Sequence, residues 1–277
     1  VAIILAGQRH AFGWDAQIHR LIARLAISAL PDSPLKRYFG VEERQLEEFA
    51  VAPDEVLRPM YGEAEGRRHY IDLENFGAEP FARLSPDFAT MERTYGPRVL
   101  DKSGTLPWAI EDEAQKMRDA WQSGDCGEML RHAGYLAHYV GDASQPLHTT
   151  RYFDGYTRSD RGEHRRLESS ADYHVREIAE AVRGEARARP IESVWDATIA
   201  ELKRSNALVR AVAENDRAAR DVADGDRAAY ETALMRSEES MIVNRVVDAA
   251  TTLSAIWLYE WQQTGMTSAC LGKGNAP

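Results

Sequence analysis

Cysteine is scarce. Cys126 and Cys270 are the two in 277 residues, too few for a disulfide scaffold and without the C-x-x-C spacing of a zinc ribbon or redox pair. They permit one bridge at most. Basic charge is also short: 34 Lys and Arg stand against 44 Asp and Glu, a formal net charge of −10. That balance excludes a protein that holds nucleic acid mainly through a basic face neutralising phosphates. It leaves a metal site open, because a bound cation adds local positive charge that the formal sum omits. Beyond the first residues there is no run of about 20 apolar residues of the kind that crosses a bilayer, so no transmembrane segment is expected. No linker or composition shift divides the chain, and the two Asp-Arg-Ala-Ala copies at Asp216 and Asp226 are a local echo on a helix surface. With 44% hydrophobic and 28% charged residues, the composition is that of one globular domain, or two closely fused ones, around a buried core.

The start lacks an initiator Met and a basic n-region, yet Val1 to Ala6 is continuously apolar and Ala11-Phe12-Gly13 puts small residues at minus three and minus one of a signal-peptidase cut. Residues 1–13 therefore read as the tail of a secretory leader, with Trp14 the mature N-terminus and 14–277 the exported domain, periplasmic or secreted. An ordinary apolar N-terminal segment is the other reading.

Past Trp14 the periodicity is helical, beginning with Ile18, Leu21, Ile22, Leu25 and Ile27 and stopping near Pro31-Asp32-Ser33-Pro34. Gly77 to Trp108, rich in Pro, Gly and aromatics, reads as a long loop with short turns. Helical patterns cover Pro107 to Gly124 and Glu128 to Ser144, the latter closed by Pro146. They continue over His164 to Val182, Ile191 to Ala223 and Arg227 to Gln262, and the small polar tail after Gly265 is expected to fray.

The chemistry-bearing residues lie at helical spacing. In the block from His138 to His148, His138 and Asp142 are one turn apart on one face, so an imidazole nitrogen and a carboxylate oxygen can meet one cation. Pro146 ends that helix and can turn His148 toward a neighbouring site. His164 and Glu168 repeat the pair. Upstream stand Trp14, His19, Asp54 and His69, whereas His10, His132 and His174 fall outside these clusters. Singly each is ordinary: a His-x-x-x-acid pair is a common surface ion pair, Asp54 after Pro53 is also a helix-cap pattern, and Gly141 also serves close packing.

In order, however, these residues resemble the superfamily of bacterial zinc-dependent phospholipases C and fungal zinc nucleases that cut single-stranded nucleic acid. The family pattern is an N-terminal Trp, a His, an Asp, a His, then His-x-x-x-Asp-x-x-x-Pro-x-His, and finally His-x-x-x-Glu or His-x-x-x-Asp. The resemblance runs from Trp14 to Glu168 and implies an all-α, single-domain multi-helix bundle with a trinuclear zinc site at one end of the helices. Carried over residue by residue, it implies a first zinc on Asp54, His69, His138 and Asp142 and a second on His148, His164 and Glu168. The third lies on Trp14, through its terminal amine and carbonyl, with His19 and Asp142. A free α-amine, with a pKa of about 8, can lose its proton and donate a lone pair, which a peptide nitrogen cannot. Leader cleavage would therefore complete the third site.

The implied reaction is phosphodiester hydrolysis by a water shared between two zinc ions, its pKa brought toward about 7. Asp54 is the candidate to orient or deprotonate that water. Arg58 is the candidate to stabilise the phosphoryl group, a solvated helix arginine being the alternative.

The substrate is a phospholipid headgroup or single-stranded nucleic acid, with no obligate protein partner evident. The Trp14 to His19 spacing looks like the nuclease branch, and the closing His-x-x-x-Glu looks like the phospholipase branch. Thr149 and Arg151 depart from the phospholipase pattern of Pro or Ala followed two residues later by Asn. The short Thr149 to Gly162 connection lacks a Gly-Gly-Asn nucleotide-binding stretch, while its Tyr152, Phe153 and Tyr156 suit a lipid mouth or a base-stacking pocket. Glu168, the loop length and the acidic balance favour a phospholipase C-like enzyme. A single-strand-preferring endonuclease giving 5′-phosphorylated products and a non-catalytic zinc-binding surface protein are the alternatives.

Overall fold

The helical periodicity is realised along the whole of the chain that the computed structural model describes, residues 14–265 and Cys270, and no strand occurs among them. The proposed leader, residues 1–13, lies outside the described residues. Helix α1 (Ala16–Ala29) buries Ile18, Leu21, Ile22 and Ile27, and α2 (Pro34–Val41) starts behind Ser33, whose hydroxyl accepts from Lys36 N at 3.2 Å. Helix α3 (Glu43–Ala52) runs into a single π turn, Pro53–Leu57. Pro53 has no N–H to close the ordinary ladder, and the widened turn carries Asp54. Two short helices follow, α4 (Arg58–Tyr61) and α5 (Glu63–Gly66), and then a 3₁₀ turn over Arg67–His69.

The stretch from Gly77 to Trp108 is more ordered than its composition suggests. It holds α6 (Phe88–Tyr95), capped by Asp87 accepting from Ala89 N, and α7 (Pro97–Ser103). Trp108 already belongs to α8 (Leu106–Ser123). The prolines here stand at helix starts, where a missing N–H costs nothing, so they punctuate short helices.

Helix α9 (Cys126–Ser144) begins behind Asp125, which accepts from Glu128 N at 3.1 Å, and ends at Gln145 before Pro146. The helical pattern from His164 to Val182 is realised as two helices, α10 (Glu163–Tyr173) and α11 (Val175–Ala181). At the break His174 Nδ1 lies 2.9 Å from the Ser170 carbonyl, so the ring takes up a helix-terminal acceptor. Likewise α12 (Val194–Asn206) and α13 (Val209–Ala223) are separate helices.

The 37-residue α14 (Arg227–Gln263) is long and apolar enough to cross a membrane by length and composition alone. Its apolar stretch is spent on the protein instead: Ile242, Val246, Leu253, Ile256 and Trp257 are all fully buried. Helix α9 packs against α1, α3, α8, α12 and α14, which places its C-terminal half at the centre of the core. A disulfide joins Cys126 at the start of α9 to Cys270, so the tail expected to fray is tied down at that point.

Candidate metal centre

The last two turns of α9 are buried on every side, and they hold His138 and Asp142 with no exposed surface. Helix α1 brings His19 against them, its ring stacked on that of His138 at 4.0 Å. The approach needs Gly141, because a Cβ there would stand 2.8 Å from His19 Nδ1. The π turn after α3 supplies Asp54 and the 3₁₀ turn supplies His69, with Nδ1 3.6 Å from Asp54 Oδ1 and 3.1 Å from Asp142 Oδ2. Pro146 turns the chain so that His148 Nε2 meets His164 Nε2 at 2.9 Å, and Glu168 Oε1 lies 2.7 Å from that same His164 nitrogen.

Three groups result, each with donor atoms within 4.8 Å of one another: His19, His138 and Asp142; Asp54, His69 and His138; and His148, His164 and Glu168. Asp142 lies between the groups. Its Oδ2 faces His69 and, at 3.4 Å, His138 Nε2, while its Oδ1 faces His19 Nε2 at 3.5 Å and His148 Nδ1 at 3.7 Å. Trp14 is fully buried and joins through its side chain, whose Nε1 donates to Ser144 Oγ at 3.0 Å. The eight sequence-predicted side-chain donors are thus drawn to one region, with His19 and Asp142 grouped beside His138, and Trp14 reaches the same helix through its indole.

The donor set fits a cation. Both ring nitrogens of His19 and Asp142 Oδ1 are buried with no hydrogen-bond partner, a costly arrangement for groups in a dry interior. His138 Nε2 and His69 Nδ1 point at each other at 3.0 Å, although at most one proton can lie between two imidazole nitrogens. Burial pushes His19 and His69 well below the ordinary histidine value, His138 below it and His164 down to about 4. These rings are therefore neutral and offer lone pairs. Burial also holds Asp142 far above the usual carboxylate range, helped by Asp54 and Glu168, and lifts Glu168 to about 8. Burial acts to raise Asp54 as well, but His69, His138 and the Arg58 guanidinium bring it below its ordinary value. A divalent cation would relieve the cost of burying these carboxylates.

The surrounding layer fixes the donors. His138 Nδ1 donates to the Ala50 carbonyl at 2.8 Å and His148 Nδ1 to the His69 carbonyl at 2.5 Å, which leaves each Nε2 as the lone-pair nitrogen. Gln145 Nε2 donates to Glu168 Oε1 at 2.8 Å. These supports were missed in the sequence. Gln145 lies inside the His138 to His148 block, but the backbone carbonyls leave no mark in sequence. Arg58 is not a solvated arginine: it is 14% exposed and its Nη1 lies 3.0 Å from Asp54 Oδ1.

Beside the second group, Phe153 meets the His164 ring edge-on at 5.7 Å. Tyr152 and Tyr156 stack at 4.8 Å, with the Arg151 guanidinium over the first ring and that of Arg217 over the second. Asp160 holds the loop, accepting from Thr157 N, Arg217 and Arg220.

The S1/P1 Nuclease family matches residues 14–270. No curated protein matches the chain. Among solved structures, alpha-toxin of Clostridium perfringens from avian strain SWCP is similar at 14% identity and a TM-score of 0.49, over 98% of this chain and 67% of that one. Alpha toxin from Clostridium absonum is similar at 13% identity and a TM-score of 0.48, with the same coverage.

Proposed function

Because the chain belongs to the S1/P1 nuclease family, and is thus a phosphodiester hydrolase, we propose that it cleaves single-stranded nucleic acid to 5′-phosphorylated fragments. The observation that carries this choice of substrate is the Tyr152–Tyr156 stack flanked by Arg151 and Arg217, next to His164 through Phe153. Aromatic faces and guanidiniums together suit unpaired bases and the phosphates between them. The Arg151 guanidinium is exposed on this face, while that of Arg217 is shared with Asp160.

Three zinc ions are the proposed cofactors, held by Asp54, His69, His138 and Asp142, by His148, His164 and Glu168, and by the Trp14 amine and carbonyl with His19 and Asp142. Zinc bound there supplies Lewis-acid polarisation of phosphoryl oxygens and a water acidified to near neutrality. The chain's own part is to place and move charge. Asp54, kept ionised by its neighbours, orients the attacking water and accepts its proton. Arg58, already beside Asp54, donates hydrogen bonds to a non-bridging phosphoryl oxygen as negative charge grows on it. Burial around Asp142 excludes bulk water and strengthens both interactions.

The domain is taken to be residues 14–277, released from a leader ending at Gly13 and exported to the periplasm or beyond. The Cys126–Cys270 disulfide supports export, since such bonds persist in oxidising compartments.

A second reading, a phospholipase C-like enzyme releasing a phosphorylated headgroup and diacylglycerol, is favoured by Glu168 at the closing motif position. The test is to express the leader-processed form, verify Trp14 by N-terminal sequencing, load zinc and offer single-stranded DNA, RNA and phosphatidylcholine micelles in parallel. Release of 5′-phosphorylated oligonucleotides without headgroup is the expected result. Headgroup without nucleotide selects the lipid reading. No cleavage even of an activated phosphodiester selects a non-catalytic zinc-binding protein.

A further inference from the structure

One buried carboxylate beside the centre belongs to none of the donor groups. Glu65, on α5, is 6% exposed and stands four residues before His69. Its Oε1 lies 3.4 Å from His69 Nε2, the ring nitrogen on the side away from Asp54, His138 and Asp142. Both neighbours of this carboxylate are fixed. Tyr139, one residue after His138 and itself fully buried, donates its hydroxyl to Glu65 Oε1. Arg68 places Nε 3.7 Å from Glu65 Oε2 and 3.2 Å from the Tyr139 hydroxyl, and its far end pairs with Asp112 at 3.0 Å and with Glu113. Glu113 is held in turn by His132, with Nδ1 2.6 Å from Oε2.

His138 and His148 rest their outer nitrogens on neutral backbone carbonyls, whereas the outer nitrogen of His69 has a carboxylate oxygen 3.4 Å away, at ion-pair distance and without an aligned hydrogen bond. A carboxylate behind an imidazole does two things a carbonyl does less well. It stabilises the proton on the outer nitrogen, and it makes the inner nitrogen a stronger electron-pair donor. We propose that Glu65 is the positioning residue of His69, keeping the proton on Nε2 so that Nδ1 presents its lone pair toward Asp54 and Asp142. Tyr139 and Arg68 are the clamp that holds the carboxylate for this purpose. The inference rests on reading Asp54, His69, His138 and Asp142 as a metal site.

The experiment measures zinc affinity of the full chain by chelator competition, for the parent, Glu65→Gln and Tyr139→Phe, together with the ring ¹H and ¹⁵N resonances of His69 in the zinc-loaded proteins. Glu65→Gln keeps the shape and removes the charge. It is expected to weaken the tightest affected zinc roughly 10- to 100-fold and to move the His69 Nε2 proton upfield. Tyr139→Phe keeps the buried ring, loses only the clamp and is expected to give a smaller change in the same direction. It carries the test by itself if Glu65→Gln does not fold. Variants that bind zinc like the parent, with the His69 proton unmoved, overturn the role of Glu65. A parent that binds no zinc at these residues overturns the metal reading underneath it.

Discussion

At the scale of single residues, the centre stores the cost of burying ionisable groups, and that cost has a measurable pH signature. Glu168 is lifted from 4.5 to about 8 by burial, so the folded chain without metal binds this proton more tightly than the unfolded chain. Its contribution to stability is present below about 4.5 and lost as the pH rises through about 8. His164 works the other way: lowered from 6.5 to about 4, it costs stability as the pH falls through that interval. Asp142 is raised, as Glu168 is, and His19 lowered, as His164 is. The melting temperature of metal-free protein is therefore expected to decline between pH 6.5 and 8.5, and saturating zinc should reduce that decline to the share set by Glu163 and Glu260, raised by burial to about 8 and about 7 outside the centre, because the cation replaces the proton only at Glu168 and Asp142. A metal-free melting temperature that rises over this interval contradicts the assignment.

Two of the pairs were legible as pairs because they sit one helical turn apart, His138 with Asp142 and His164 with Glu168, and the side chains of each pair meet in the structure. The same spacing joins Glu65 to His69 and was available as a signal for the supporting layer. The Ala50 and His69 carbonyls had none, since any residue carries one.

At the scale of elements, the centre depends on how closely α3 and α9 approach. Gly134 makes that crossing possible: a Cβ there would lie 2.2 Å from Phe49 Cβ and 3.1 Å from the Leu46 carbonyl. The same α3 offers the Ala50 carbonyl to His138. Gly134→Ala is thus expected to push α3 outward, destabilise the fold by about 1–3 kcal/mol and weaken zinc binding. Gly40→Ala on α2, where a Cβ meets nothing within 4 Å, should be neutral or slightly stabilising. Thermal melts of the two variants side by side check this, and equal stability would mean that the crossing yields without cost. Long amphipathic helices such as α9 and α14 were legible from period alone. The two short helices between Gly77 and Trp108 were not, because their prolines and glycines mark helix starts as readily as they mark loops. The division of α10 from α11 at His174 depends on a ring-to-carbonyl contact that periodicity does not register.

At the scale of the whole molecule, donors from six separate segments meet because α9 is the axis on which α1 and α3 close, with His148 and α10 reached across the turn at Pro146. The order of donors along the chain was readable. Their convergence was implied by the resemblance alone, since in physical terms it follows from which helix faces are apolar and from the close approaches at Gly134 and Gly141. The disulfide closes the far end of the same axis: Cys126 stands about 18 Å along α9 from His138 at 1.5 Å per residue, so it braces the domain without touching the centre. The most direct test of the account is anomalous diffraction at the zinc absorption edge from zinc-soaked crystals of the chain beginning at Trp14. Three peaks are predicted, all enclosed by Trp14, His19, Asp54, His69, His138, Asp142, His148, His164 and Glu168. Peaks confined to other residues, or none, would contradict it.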